Sequence, residues 1–415
     1  MKEAQRVLMM TSDVLYQGDA LYRYQEELRA LIEADGGDVV VEAEQRNLRP
    51  NPRFFYGSGK VQELKDPIHN HEIDVVVLGD EVSGAQLRNL EREWDVQVID
   101  RTHLILDIFA MRAQTREATL QVHLAQLIYG KSRLIGSYSL SRTGGGIGTR
   151  GPGEQKLELD RRHLDEEITR TRRQIREVKK ARATTRQKRQ KSSIPRVSLL
   201  GYTNAGKSTL MNRFLSDEGR EEGQVFVKDQ VFATLDTTLR RVNIGEGFPI
   251  ILSDTVGFVA DLPTLLVDSF HATLEEMEDS ALILHVLDAT SPDLERERQT
   301  TMQLLQELRL EQIPRIVVLN KMDLREEMPF FSEEVPVCAI SARTGEGMEA
   351  LREAILTALD DREMCDLFFS FQEQGLVSAA LEEDPHAEIR YEEDGTHLHG
   401  RFSKAFLGRL RGRNA

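Results

Sequence analysis

Short apolar runs alternate with helix-period stretches through the first hundred residues of the chain. The runs are Val7-Leu8-Met9-Met10, Val39-Val40-Val41, Val75-Val76-Val77-Leu78 and Val96-Gln97-Val98-Ile99, and Ala20 to Ala34 is one of the helical stretches between them. Short buried strands separated by helices predict a parallel sheet covered on both faces. A longer helical pattern follows, from His103 to about Tyr129.

Periodicity then stops. Residues 137–154, SYSLSRTGGGIGTRGPGE, hold six glycines and no regular repeat, so they predict a loop outside any core, either mobile or bound to something. Beyond the loop Leu157, Leu164, Ile168, Ile175 and Val178 recur at spacings of seven, four, seven and three. That is a narrow apolar seam on a long, charged helix. Leu120, Leu124 and Leu127, spaced four and three, supply a partner seam on the preceding helix. Together they predict a helical hairpin with a glycine-rich tip, closed off by Pro195. The seam is too short for a dimer zipper and reads as packing within one chain, so a monomer is expected.

From Arg196 to about Leu359 a second alternating pattern begins, and a tail of about 55 residues remains. The tail reads as a strand (Leu367 to Phe371), a helix and a hairpin across Asp394-Gly395, a favoured two-residue turn. The chain thus divides into an α/β domain (1–130), a glycine-rich loop with a basic helical hairpin (131–193), a second α/β domain (194–360) and a small α+β domain (361–415).

Charge sharpens this picture. The whole chain carries −15, yet residues 131–193 hold 18 Lys and Arg against 7 Asp and Glu, a local +11 that leaves −26 for the remainder. One basic arm on an acidic body predicts a local footprint on a polyanion. A merely solvated helix pair would not explain the excess of one sign. No run of about 18 apolar residues occurs, so no membrane span is expected. The N-terminus shows no apolar stretch before a small-residue cleavage site. Two cysteines, Cys338 and Cys365, argue against a disulfide framework and fit a reducing, cytoplasmic setting. The period-two pairs His69/His71 and His397/His399 lack further ligands at metal spacing and read as exposed histidines.

The chemistry concentrates in the second α/β region. Val197-Ser198-Leu199-Leu200 runs into Gly201-Tyr202-Thr203-Asn204-Ala205-Gly206-Lys207-Ser208-Thr209 and then a helical pattern. This is G-x-x-x-x-G-K-S in the strand–loop–helix setting it requires. Glycines let backbone N–H groups turn toward phosphate oxygens at the positive end of a helix. Lys207 is expected to reach the outer phosphates and Ser208 to ligate Mg²⁺. Ile250 to Ser253 is a strand that ends at Asp254-Thr255-Val256-Gly257. There Asp254 can hold the Mg²⁺ shell and the Gly257 N–H can sense the terminal phosphate. D-x-x-G is common by itself; its place about fifty residues after the phosphate loop gives it meaning.

The nucleotide is decided by Asn320-Lys321-Met322-Asp323, which follows the strand Arg315 to Leu319. Asp323 can accept hydrogen bonds from the ring N–H and the exocyclic amine of guanine. Adenine lacks that donor pair and would leave the carboxylate unpaired. Asn320 is expected to stitch this loop to the phosphate loop, and the Lys321 stem to cover the base. Ser341-Ala342, after the strand Val335 to Ile340, can add a main-chain N–H. GTP and GDP with Mg²⁺ are the expected ligands. A further Mg²⁺ ligand is sought in Phe232-Ala233-Thr234-Leu235-Asp236-Thr237-Thr238. Thr234 is the choice, with Thr237 and Thr238 left open. Phe258 follows Gly257 where many GTPases place a glutamine that orients the attacking water, and a phenyl ring cannot do that. Slow hydrolysis by the free protein is expected, with help from a partner.

GYTNAGKST, FATLDTT, DTVGF and NKMD resemble the translation-factor-related GTPases. NPRFFYGSGKVQEL, RTHLILDIFAMRAQTREATLQVHLAQLIY and SRTGGGIGTRGPGEQKLELDRR narrow the resemblance to the HflX family of ribosome-associated GTPases, across nearly the whole chain. The resemblance implies a P-loop GTPase that binds the large ribosomal subunit, reaches the peptidyl-transferase region with its N-terminal part and splits stalled or stress-arrested ribosomes. The matching parts are the Ser141–Glu154 loop and the hairpin that carries it, whose Arg and Lys can neutralise rRNA phosphates. Tyr56-Gly57-Ser58-Gly59-Lys60 departs from the family's version of that stretch and is not read as a second phosphate site. The rival reading is a GTP-regulated rRNA-binding factor in large-subunit maturation. A P-loop kinase is opposed by Asn320–Asp323.

Overall fold

The computed structural model describes residues 4–46, 49–135, 152–189, 194–217, 238–244, 248–254, 275–329, 335–360, 362–384, 387–392 and 394–411. Three sheets organise them.

The first sheet is parallel, in the order β2-β1-β3-β4, with β1 Gln5–Ser12, β2 Gly37–Gln45, β3 Val75–Leu78 and β4 Gln97–Asp100. Its strands divide their side chains by parity. Val7, Met9, Val75, Val77 and Ile99 enter one core, and Leu8, Met10, Val76, Leu78 and Val98 enter another. This two-sided burial is what an unbroken apolar run requires of a strand. Helix α1 (Asp19–Asp35) covers the first face; α2 (Ser58–Glu63), α3 (Lys65–Asn70) and α4 (Gly84–Trp94) cover the second. A Ser83–Gln86 capping box starts α4, and Trp94 Nε1 donates to the Val61 carbonyl at 2.8 Å.

The helical pattern from His103 to Tyr129 proves to be two helices, α5 (Arg101–Arg112) and α6 (Arg116–Ile135). Each has its own start. Asp100 accepts the His103 N–H at 3.0 Å, and Thr115 Oγ1 accepts the Ala118 N–H at 3.2 Å. Between them Ala113 is extended, with φ −65° and ψ 112°. Side-chain capping outcompetes continuation of the helix.

Helix α7 (Pro152–Arg189) lies against α6. Lys131 pairs with Asp165, and His123 Nε2 lies 3.4 Å from Glu167. Of the expected seam, Ile168 and Ile175 are buried, and Leu164 and Val178 half-buried. Residues 136–151, which hold most of the glycine-rich stretch, fall outside the described residues.

The second sheet has the order β10-β9-β8-β5-β7-β6, with β5 Arg196–Leu200, β6 Thr238–Ile244, β7 Phe248–Asp254, β8 Leu282–Asp288, β9 Arg315–Asn320 and β10 Val337–Ala339. Only β6 runs antiparallel to its neighbour among these strands. Helix α8 (Lys207–Ser216) and the helix Met348–Leu359 cover one face through Leu210, Phe214, Leu351 and Ile355. The other face is shared. Leu200, Ile283, Leu304 and Leu305 join the core built by Val7, Leu28, Leu104 and Phe109. The first two sheets therefore meet through α1, α5 and the helix Leu294–Glu307 in one continuous apolar cluster.

The third sheet is antiparallel, β11-β13-β12, with β11 Arg362–Ser370, β12 Glu388–Tyr391 and β13 Gly395–Ser403. Phe369, Ala380, Leu398, Phe402 and Phe406 form its core. Gly395 lies in β13, not in the turn: its carbonyl accepts the Glu392 N–H at 2.9 Å. Among the described residues no helix is long and apolar enough to cross a membrane.

Candidate functional site

Three strand ends converge on one point of the second sheet. β5 delivers Gly201 to Ser208, β7 delivers Asp254, and β9 delivers Asn320 to Asp323. In a parallel α/β sheet the carboxyl ends of the strands are where ligands gather.

The loop after β5 is shaped by its glycines. Gly201 and Gly206 have φ of +154° and +91°. A Cβ on Gly201 would stand 2.0 Å from the Val286 carbonyl oxygen, and one on Gly206 would stand 2.2 Å from Asn320 Nδ2. Space and conformation both demand glycine there. Asn204, at φ +61°, takes the left-handed turn between them. Ala205 is buried, Thr203 half-buried and Asn204 exposed. Helix α8 starts at Lys207, so Ser208 and Thr209 lie in its first turn with its unsatisfied N–H groups.

Lys207 is buried, and Nζ donates to the carbonyls of Gly201 at 2.9 Å and Tyr202 at 2.7 Å. Burial pulls its ammonium down to about 8, against the upward effect of Asp254 and Glu297. Ser208 Oγ donates to Asp254 Oδ2 at 2.6 Å, and Asp254 is fully buried. A hydroxyl and a carboxylate thus sit together at the mouth of the helix: two hard oxygen donors of the kind Mg²⁺ selects. Among the described residues no cluster of three His, Cys, Asp or Glu could hold a metal unaided.

Asn320 is the keystone of the far side. Its Nδ2 donates to the Ala205 carbonyl at 2.9 Å, and its Oδ1 accepts the Ala342 N–H at 2.9 Å. One buried amide therefore ties the loop after β5 to the loops after β9 and β10. Lys321 adopts φ +65°, and its Nζ lies 2.7 Å from Asp288 Oδ2. That turn presents Asp323, exposed, in the short 3-10 segment Met322–Leu324. Ser341 is buried, and its Oγ accepts the Thr344 N–H at 3.0 Å.

The structure thus brings together Gly201 to Thr209, Asp254, Asn320 to Asp323, Ser341 and Ala342. Phe232, Thr234, Thr237, Gly257 and Phe258 fall outside the described residues, and Thr238 opens β6. Sequence reasoning missed three supports. Asp288 ends β8 and holds Lys321; its signal was an acidic residue closing an apolar strand. Arg213, on α8, donates Nε to the Ala342 carbonyl at 2.9 Å. Glu27, of α1, reaches the Tyr202 hydroxyl at 3.4 Å; no local pattern announces a contact across 175 positions.

Residues 23–110 match the family described as GTP-binding GTPase N-terminal, residues 112–189 the GTP-binding GTPase Middle Region, and residues 196–321 the 50S ribosome-binding GTPase. GTPase HflX of Alkalihalophilus pseudofirmus is 40% identical over 384 residues, which span 92% of this chain and 89% of that one. The chain belongs to the HflX family. As an HflX-family protein it binds and hydrolyses GTP. GTPase HflX of Escherichia coli is 41% identical over 340 residues, with 80% and 78% of the two chains covered. A crystal structure described as a complex of SsGBP and GDP shares the fold, with a TM-score of 0.50, 24% identity, and 85% of this chain and 98% of that chain covered.

Proposed function

We propose that this HflX-family GTPase works in the cytoplasm on the large ribosomal subunit, and that GTP hydrolysis there drives the splitting of stalled or stress-arrested ribosomes. The observation that carries the reading is the pairing of a nucleotide pocket with a basic arm: Gly201 to Ser208, Asp254 and Asn320 to Asp323 converge, while residues 131–193 carry +11 on an otherwise acidic chain. The description of the matched family, 50S ribosome-binding GTPase, supports the choice of subunit.

In this reading Lys207 and the α8 N-terminus hold the phosphates, and Asp323 reads guanine beside Asn320, Lys321, Ser341 and Ala342. Ser208 and Asp254, with Thr234, would hold Mg²⁺, which would supply positive charge to the phosphate oxygens. Gly257 senses the terminal phosphate. The GTP state orders the segments around Thr234 and Asp254 to Phe258, and hydrolysis releases them. Phe258 leaves the attacking water without an orienting amide, so the ribosome supplies or orders that group. Arg and Lys of α7 and the glycine-rich loop lie against rRNA.

The test is the GTP hydrolysis rate, alone and with purified large or small subunits. Stimulation of at least tenfold by the large subunit only is expected. Equal rates under all three conditions, with GTP binding intact, would move the maturation-factor reading ahead. Salt provides an internal check, since phosphate contacts weaken steeply between about 50 and 200 mM.

The buried lysine sets a pH dependence. The phosphates need the ammonium form, and the free Lys207 loses its proton near 8. Binding above that pH must take up a proton, so affinity falls about tenfold per pH unit once the lysine is deprotonated. GDP titrations by calorimetry at pH 7 and pH 9 should differ by about tenfold, with the weaker binding at pH 9. A pH-independent Kd would mean that Lys207 keeps its proton through pH 9 in the free protein despite its burial.

A further inference from the structure

The phosphate loop has one residue that faces two ways. The carbonyl of Tyr202 accepts Lys207 Nζ at 2.7 Å and the Ala205 N–H at 3.3 Å. Its ring points away from that work and packs on the core shared by the first two sheets. Its hydroxyl lies 3.4 Å from Glu27 Oε2 on α1, at the long end of a hydrogen bond. The other oxygen, Glu27 Oε1, accepts from Arg101 Nη2 at 2.7 Å. The Arg101 side chain is only 7% exposed, and its guanidinium lies 5.6 Å from the Tyr24 ring centroid. The carboxylate that meets the phosphate loop is therefore itself held, by an ion pair inside the first domain.

This contact differs in kind from two other polar links between the domains. Arg23 Nε meets Asp293 Oδ2 at 2.6 Å, and Arg296 Nη2 donates to the Tyr16 hydroxyl at 2.6 Å. Both join the first domain to the loop after β8 and the helix that follows. The Glu27–Tyr202 hydrogen bond reaches a residue whose main chain carries the phosphate lysine.

We propose that Glu27 is a positioning residue of the nucleotide site: through the Tyr202 side chain it holds the phosphate loop in its binding shape and slows nucleotide release. The inference rests on the reading of Gly201 to Ser208 as the phosphate loop. Tyr202 leaves its anchor at the cost of a hydrogen bond to a charged acceptor, and the carbonyl that steadies Lys207 moves with it. Because coupling is reciprocal, bound nucleotide must also steady α1.

The experiment is the dissociation rate of a fluorescent GDP from the full-length protein with Mg²⁺ present, measured by stopped-flow chase. Tyr202→Phe and Glu27→Ala should each release GDP about three- to tenfold faster than the parent, the scale of one modest hydrogen bond. Their combination should be no faster than the faster single variant, since both break the same link. Glu27→Gln keeps an acceptor for the hydroxyl and should stay within twofold of the parent. Arg23→Ala breaks the interdomain pair that does not reach the loop, and should leave release unchanged. Multiplying effects in the double variant, or an Arg23→Ala rate as fast as Glu27→Ala, would overturn the proposal, because either means general loosening of the interface. Parental rates in both Tyr202→Phe and Glu27→Ala would overturn it too. If Glu27→Ala fails to fold, hydrogen exchange decides. GDP should slow exchange of the α1 amides in the parent and not in Tyr202→Phe, and equal protection in both sinks the link. A parent that binds no GDP would instead refute the reading of the loop itself.

Discussion

Asparagine in place of Asp323 is expected to weaken GTP and GDP binding by two or more orders of magnitude and to transfer preference to xanthine nucleotides. The carboxylate can accept from two donors on one edge of guanine. An asparagine amide offers one acceptor and one donor, so its NH₂ meets a guanine donor. A site built around paired polar groups rejects the wrong partner by about 10⁴–10⁵ when one is left unpaired. Xanthine carries a carbonyl where guanine carries its amine, and that carbonyl can accept from the new NH₂. The fold should not notice the change. Asp323 is exposed, and its turn is held by other groups: the Met322 N–H donates to the Ile340 carbonyl at 3.1 Å, Arg325 Nη1 donates to the Ala289 carbonyl at 2.6 Å, and Asn320 bridges two loops. Nucleotide-free stability should stay within about 0.5 kcal/mol of the parent, as for most surface substitutions. Competition of GTP, XTP and ATP against a fluorescent GDP measures the outcome. Retained guanine selectivity in Asp323→Asn would show that another group reads the base.

Much of this site was legible because its signals are local. Phosphate binding needs glycines and a lysine at fixed offsets on one strand–loop–helix, and residues 196–216 spell that out within one short segment. The runs Val7–Met10 and Val75–Leu78 of the first sheet were equally plain, since a stretch buried on both faces has to be apolar at every position. What stayed hidden depends on distant partners. The break between α5 and α6 turns on Asp100 and Thr115 capping helices that hydropathy alone runs together. The union of Leu200 and Ile283 with Leu28 and Phe109 in one core leaves no mark on either segment, because each would be apolar against any cover. Glu27 looks like one more acid on an amphipathic helix until the fold sets Tyr202 beside it. Gly395 signalled a turn but serves the strand: a Cβ there would stand 2.4 Å from the Phe369 carbonyl oxygen.

Acid should expose the other large effect, at His285. This residue lies in the middle of β8, between Leu200 of β5 and Val317 of β9. It is fully buried, and among the described residues neither ring nitrogen has a hydrogen-bond partner. Burial pushes its pKa down to about 3, helped by the positive charges of Arg315, Arg298 and Lys207. The unfolded chain titrates near 6.5. The folded state thus binds fewer protons between these limits. Its contribution is complete above about pH 6.5 and is lost as pH falls toward 3. At about 1.4 kcal/mol per unit, the loss is roughly 2 kcal/mol by pH 5 and on the order of 5 kcal/mol by pH 3. Leucine at this position has similar bulk, no proton to gain and no ring nitrogens to leave unpaired. His285→Leu should gain about 1–3 kcal/mol at pH 7, the usual cost of an unsatisfied buried polar group. The gain should grow by about 2 kcal/mol at pH 5. Urea unfolding of both proteins at the two pH values isolates the histidine, because Asp35 and Glu297, whose carboxyls burial raises, titrate in both. Parallel pH slopes for parent and variant would mean that the imidazole is charged or solvated in the folded protein. Curves that diverge as pH falls, with the parent losing more, would identify the centre of the GTPase sheet, the strand whose end holds Lys321 through Asp288, as a place where acid undoes the fold.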